Sequence, residues 1–129
     1  MDEAWYLMRN QDSADFLVDI AKRSRKYYLG LTTITQDVED FLATERGKEI
    51  ISNSSMQILL KQAPASIELL AHVFNLSEGE QRLLLSEGIG QGIFFAGSTH
   101  VAMRVVASSS EHQLITTNPA EIMARQGGQ

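Results

Sequence analysis

Two adjacent carboxylates, Asp2 and Glu3, open the chain, and the aromatic and apolar run Ala4-Trp5-Tyr6-Leu7-Met8 follows at once. A carboxylate pair at the C-terminal end of a buried strand is what nucleotide hydrolysis requires. The aspartate holds a magnesium shell, and the glutamate orients and deprotonates the attacking water. The same pair also suits a solvated surface. A second feature is Thr32-Thr33-Ile34-Thr35-Gln36-Asp37. Its glutamine amide offers a donor and an acceptor, and so can bridge a terminal phosphate to the rest of the protein. Thr-Gln-Asp is equally ordinary turn chemistry. The third feature is the basic cluster Lys22-Arg23-Ser24-Arg25-Lys26. Cations at the end of a helix are favoured by its dipole by about 0.3–1 kcal/mol each. One arginine there can instead reach a neighbouring subunit's nucleotide as an arginine finger. A DNA contact is a third use of the same charges.

Other patterns fail on spacing. Gly47-Lys48 resembles the end of a phosphate-binding loop, but Glu49 stands where Ser or Thr is needed, and no glycine lies five residues before Gly47. Gly88-x-Gly90 lacks a third glycine, with Ile93 in its place. His72, His100 and His112 are scattered without ligand spacing. Neither Asn53-Ser54-Ser55 nor Asn75-Leu76-Ser77 has a secretory context that would make it a glycosylation site. No serine sits in a nucleophile-elbow context.

The elements that must carry these residues follow from periodicity. Phe16, Leu17, Ile20 and Ala21 share one helical face over Ser13–Arg25, with Asp12 or Ser13 as N-cap. Tyr28–Ile34, rich in aromatic and β-branched residues, predicts a buried strand running into the loop at Thr35-Gln36-Asp37. Short helices are expected over Val38–Ala43 and Glu45–Ile51, and a strand over Met56–Leu60. Pro64 suits the first turn of a helix through Phe74. Ser77 and Glu80 form a capping box that opens a helix through Leu85. Ile93–Ala96 and Val101–Ala107 predict two strands, with Gly97-Ser98 as the hairpin turn between them. Early alternation of helix and strand with a late hairpin is an α/β pattern.

Composition sets the outer limits. With 129 residues, 43% hydrophobic and 21% charged, the sequence has the make-up of one globular domain. No apolar run is long enough to span a bilayer, and the acidic start lacks the layout of a secretory signal. Zero cysteines exclude disulfides and thiolate metal sites, and fit a reducing compartment. The net charge of −5 argues against wholesale coating of nucleic acid. A domain over 1–119 and a flexible tail over 120–129 are expected.

Several of these residues occur together in one order: Asp2-Glu3-Ala4-Trp5, Arg25-Lys26, Thr35-Gln36-Asp37, Asn53-Ser54 with Leu59-Leu60-Lys61-Gln62, and Gly90-x-Gly92. In order and spacing they resemble the second half of the conjugal-transfer (type IV secretion) ATPases, TraG-like P-loop proteins related to the HerA and FtsK DNA motors. The resemblance runs to about Pro119. It implies a partial RecA-like P-loop NTPase fold, α/β, the second half of the domain with a C-terminal β-hairpin. It also implies a homo-oligomeric motor that uses ATP and Mg2+ to drive secretion, conjugative transfer and pilus assembly. Such a motor is expected to be cytoplasmic and peripheral at the inner face of a bacterial inner membrane, beside other type IV secretion channel subunits, with DNA or protein as cargo.

By that resemblance Asp2 and Glu3 are the Walker B pair, with Asp2 meeting magnesium through water. Gln36 contacts the terminal phosphate, and Arg25 looks like the finger acting in trans. Arg104 is a further candidate for a phosphate or intersubunit contact. Tyr28 departs from the pattern, since relatives often have glycine there. The larger departure is that neither a Walker A loop nor a strand before Asp2 is in the sequence. The expectation is therefore an introduced start at Met1 and a chain that is inert on its own. Two rivals stand beside it: a HerA/FtsK-like DNA-translocating motor, and a non-catalytic assembly module of a secretion complex.

Overall fold

The computed structural model describes residues 2–86 and 88–126. Four helices form its first layer. Helix α1 is Ala4–Met8, α2 is Gln11–Arg23, α3 is Val38–Leu42 and α4 is Glu45–Asn53. Helix α2 starts two residues earlier than its periodicity suggests, because Asn10 caps it: the side chain accepts from the Ser13 N–H at 3.1 Å. Asp37 and Thr44 cap α3 and α4 in the same way. Each supplies an acceptor for a backbone N–H that has no intrahelical partner. The buried faces of the four helices meet in one cluster of Ala4, Met8, Ala14, Leu17, Val18, Phe41 and Ile50. Ion pairs Lys22–Glu49 and Arg46–Asp15, at 2.9 and 2.7 Å, fringe the α2–α4 contact. Both are half-exposed, so the apolar face holds the contact and the ions trim it.

The second layer is a three-stranded antiparallel sheet of β1 (Met56–Leu60), β2 (Gln91–Ala96) and β3 (Thr99–Arg104), in that order. Alternation decides its faces. Leu59 and its cross-strand partner Ile93 point inward with Phe95, against α5 (Ile67–Phe74) and α6 (Glu78–Ser86). Met56, Ile58, Leu60 and Val101 lie exposed on the other face. The inward side chains join Leu42, Ile67, Leu70, Leu76 and Leu84 in a second cluster. Neighbouring residues of α3 bridge the layers, Phe41 in the first cluster and Leu42 in the second, and Ile51 packs against both.

The spacing Gly90-x-Gly92 has a backbone cause. Gly90 has φ +78°, and its carbonyl accepts from the Val105 N–H at 2.8 Å, which closes the base of the hairpin. A Cβ on Gly92 would lie 2.2 Å from the Leu59 carbonyl oxygen, so β1 can approach β2 there only past a glycine. The hairpin turn falls at Gly97-Ser98 as expected. Beyond it lie α7 (Ser109–Ile115) and α8 (Pro119–Gln126). Of the expected tail over 120–129, residues 120–126 are in α8 and 127–129 lie outside the described residues.

Several expectations are corrected: β3 is Thr99–Arg104 rather than Val101–Ala107, and Pro64 lies in a turn ahead of α5 rather than in its first turn. Tyr28–Ile34 is not a strand: a 3-10 turn over Ser24–Tyr27 ends at Tyr28, with φ 54°, and the chain then runs to Thr35 without ladder pairing. β propensity describes side chains that fit a pleated surface, but a strand exists only where a second backbone answers its N–H and C=O groups. None of the three sheet strands lies beside this segment, and Tyr28 is 100% exposed.

Two outcomes follow. Leu84 is fully buried between α6 and the sheet. Leu84→Ala should therefore destabilise the chain by about 2–5 kcal/mol in urea unfolding, whereas Leu114→Ala, on an exposed side chain, should change it little. Glu80 accepts from Ser77 Oγ and Ser77 N and sits 2.5 Å from His100 Nε2. The Ser77 bonds first, and His100 after them, hold its carboxyl below the usual range. A lowered folded pKa means that this stabilisation is complete above the unfolded value of about 4.3 and is lost as pH falls through the folded value. Thermal melts from pH 7 to 3 should show that acid loss, and Glu80→Gln, which keeps a capping amide, should flatten it.

Candidate functional site

The site is built where two segments without sheet pairing are tied together. The Ala4 N–H donates to the Ile34 carbonyl at 2.9 Å, which sets the start of α1 beside the loop leading into α3. Glu3 precedes α1 with φ 52° and ψ 45°, a left-handed conformation uncommon for a non-glycine residue. On the other segment the turn is closed by Thr35 Oγ1 donating to the Asp37 carbonyl at 3.1 Å. Asp37 Oδ1 in turn accepts from the Asp40 N–H at 3.1 Å. Gln36 is held between these bonds, and its Nε2 donates to Glu3 Oε1 at 3.3 Å. The second carboxylate oxygen of Glu3 accepts from the Trp5 indole N–H. Asp2 caps the backbone locally, its Oδ1 accepting from the Glu3 N–H at 2.9 Å.

These residues open onto a cleft of about 490 Å³ lined by Glu3, Trp5, Gln36, Asp37, Val38, Glu39 and Ser66. Glu39 reaches across it, accepting from Ser66 Oγ at 3.0 Å, so the turn after β1 forms the far wall. Three carboxylates and no cation line the cleft. An acidic wall of this kind receives a phosphate only with a cation between them. Among the described residues no three acidic or histidine side chains converge on one point. Magnesium in phosphate chemistry takes one or two carboxylates, waters and phosphate oxygens, so the exposed Asp2–Glu3 pair fits that ion's needs.

Of the residues singled out from the sequence, the structure brings Glu3 and Gln36 into contact and keeps Asp2 next to them. Neither Glu3 nor Gln36 lies at the end of a buried strand, because neither segment enters the sheet. Arg25 lies in the 3-10 turn, exposed and outside the cleft lining, and among the described residues it forms no ion pair. Arg104 ends β3 opposite Gln91, also outside the cleft lining. Trp5, Glu39 and Ser66 were not assigned a role from the sequence. Trp5 has a local signal in its place two residues after Glu3. Ser66 has none, since only the tertiary fold brings it to the cleft. Gly47 and Lys48 are confirmed as helix residues: the Gly47 N–H bonds Thr44 Oγ1, and Lys48 pairs with Glu45 at 2.7 Å.

Residues 1–92 match the family model of the TraG P-loop domain. No curated protein matches the chain. Among solved structures, VirB4 of Thermoanaerobacter pseudethanolicus superposes with a TM-score of 0.76 at 36% identity, covering 85% of this chain. The chain spans 31% of the length of that protein. The fold is thus a mixed α/β part of a P-loop NTPase domain closed by a β-hairpin. The ordered motifs, the contact between their two central residues and the match over 1–92 agree: the chain belongs to the TraG P-loop domain family, that of the conjugal-transfer and type IV secretion ATPases.

Proposed function

We propose that the chain is the later part of an ATP-hydrolysing motor that energises type IV secretion, conjugative transfer and pilus assembly. The observation that carries this is the Gln36–Glu3 hydrogen bond at the mouth of an acidic cleft, within the residues matched to the family. Glu3 is the general base for the attacking water. Gln36, whose amide can donate and accept, reports the terminal phosphate to the base it touches. Asp2 would hold Mg2+ through water, and the ion would supply charge neutralisation to the phosphates. A phosphate-binding loop with its lysine is required beside these groups, and residues 1–129 contain no such sequence.

Arg25 acts on a neighbour. It is exposed in the 3-10 turn that follows α2, with its charge unpaired among the described residues, as a group reaching for another subunit's phosphates must be. A homo-oligomer follows from that role, with Arg104 as a second cation at the hairpin end. No helix among the described residues is long and apolar enough to cross a membrane. We place the motor on the cytoplasmic face of the inner membrane through contacts with other channel subunits, moving DNA or protein.

Purified as it stands, the chain should neither bind nor turn over ATP. Turnover that disappears on Glu3→Gln would show that the phosphate loop is dispensable and that the proposal is wrong on that point. In the full-length ATPase, Glu3→Gln should abolish turnover while nucleotide binding persists. There Arg25→Ala should reduce turnover by roughly 10³-fold or more. Mixing Arg25→Ala with Glu3→Gln subunits should restore part of the activity, and mixtures that stay inactive would leave Arg25 as a helix-end cation only.

A further inference from the structure

A carboxylate that serves as a base must keep one oxygen aimed at its water, and free rotation of a glutamate side chain works against that. Glu3 has both oxygens engaged, Oε1 by the Gln36 amide and Oε2 by the Trp5 indole. Both donors are neutral, so they orient the group without cancelling its charge, and an indole N–H can only donate. The Trp5 ring is itself fixed. It is partly buried against the helical cluster and meets Tyr6 edge-on at 5.9 Å, and it carries the Arg9 guanidinium over its face at 4.7 Å. Arg9 in turn lies 4.0 Å from Asp40, whose N–H is held by Asp37, the neighbour of Gln36. The contacts form a circuit that leaves Glu3 through Trp5 and returns to it through Gln36. The left-handed backbone of Glu3 sits inside that circuit, held from both sides.

We infer that Trp5 is a positioning residue for the Glu3 carboxylate, acting through its indole N–H. The inference rests on the proposed role of Glu3 as base. The chain holds a single tryptophan, so its indole N–H gives one resonance in a nitrogen-correlated spectrum of the purified chain. Glu3→Ala should shift that resonance, and Tyr6→Phe should not. In the full-length ATPase, Trp5→Phe keeps the ring and its packing but removes the donor. It should lower kcat by about tenfold to 10²-fold, the scale of a misplaced catalytic group, with KM for ATP unchanged. An indole signal indifferent to Glu3→Ala overturns the contact. A Trp5→Phe enzyme with normal kcat, where Glu3→Gln is dead, overturns the positioning role and leaves the functional reading intact. A Glu3→Gln enzyme that still turns over overturns the functional reading, and the inference with it.

Discussion

A single backbone hydrogen bond, from the Ala4 N–H to the Ile34 carbonyl, fixes how the two site-bearing segments meet. Ala4 has no exposed surface, so the bond is sheltered from water, where breaking it would leave a donor unsatisfied. On one side of it Glu3 is turned into the left-handed region; on the other the chain enters the Gln36 turn. Together with the packing of Ala4 and Met8 beside Phe41, that bond makes the glutamine and the glutamate a pair.

The helical layer protects this bond, and the sheet layer supports the far wall of the cleft. Ile51 and the adjacent Phe41 and Leu42 make the two apolar clusters one mechanical body, so α3 cannot shift in one layer without disturbing the other. Because Asp37 caps α3, the rigidity of the core is passed to the residue next to Gln36. The ion pairs seen at the surface contribute little to this arrangement.

What could be read from the sequence divides along the range of the forces involved. The Ser77–Glu80 capping box and the Gly97-Ser98 turn were legible because each is decided by side chains a few residues apart, while Met56–Leu60 was read correctly because β2 answers its backbone. Tyr28–Ile34 was misread because a strand is a relation between two backbones, and the sequence of one cannot supply the other. The contact of Glu3 with Gln36 agrees with motif order, although neither residue ends a sheet strand. Ser66 in the cleft wall depends on a contact across the fold with Glu39, beyond the reach of any local pattern.

The close passage of β1 over Gly92 bears on the order in which the chain assembles. The pairing Leu60↔Gly92 closes a loop that contains α5 and α6 whole, while β2 and β3 are joined by a two-residue turn. The hairpin is a local event, and the zipping of β1 onto it is a distant one. Since Leu59 and Ile93 face Leu70 and Leu84 in the same cluster, that zipping and the docking of both helices are a single cooperative step. The tight fit at Gly92 thus belongs to the long-range part of the fold, where closing the loop costs most.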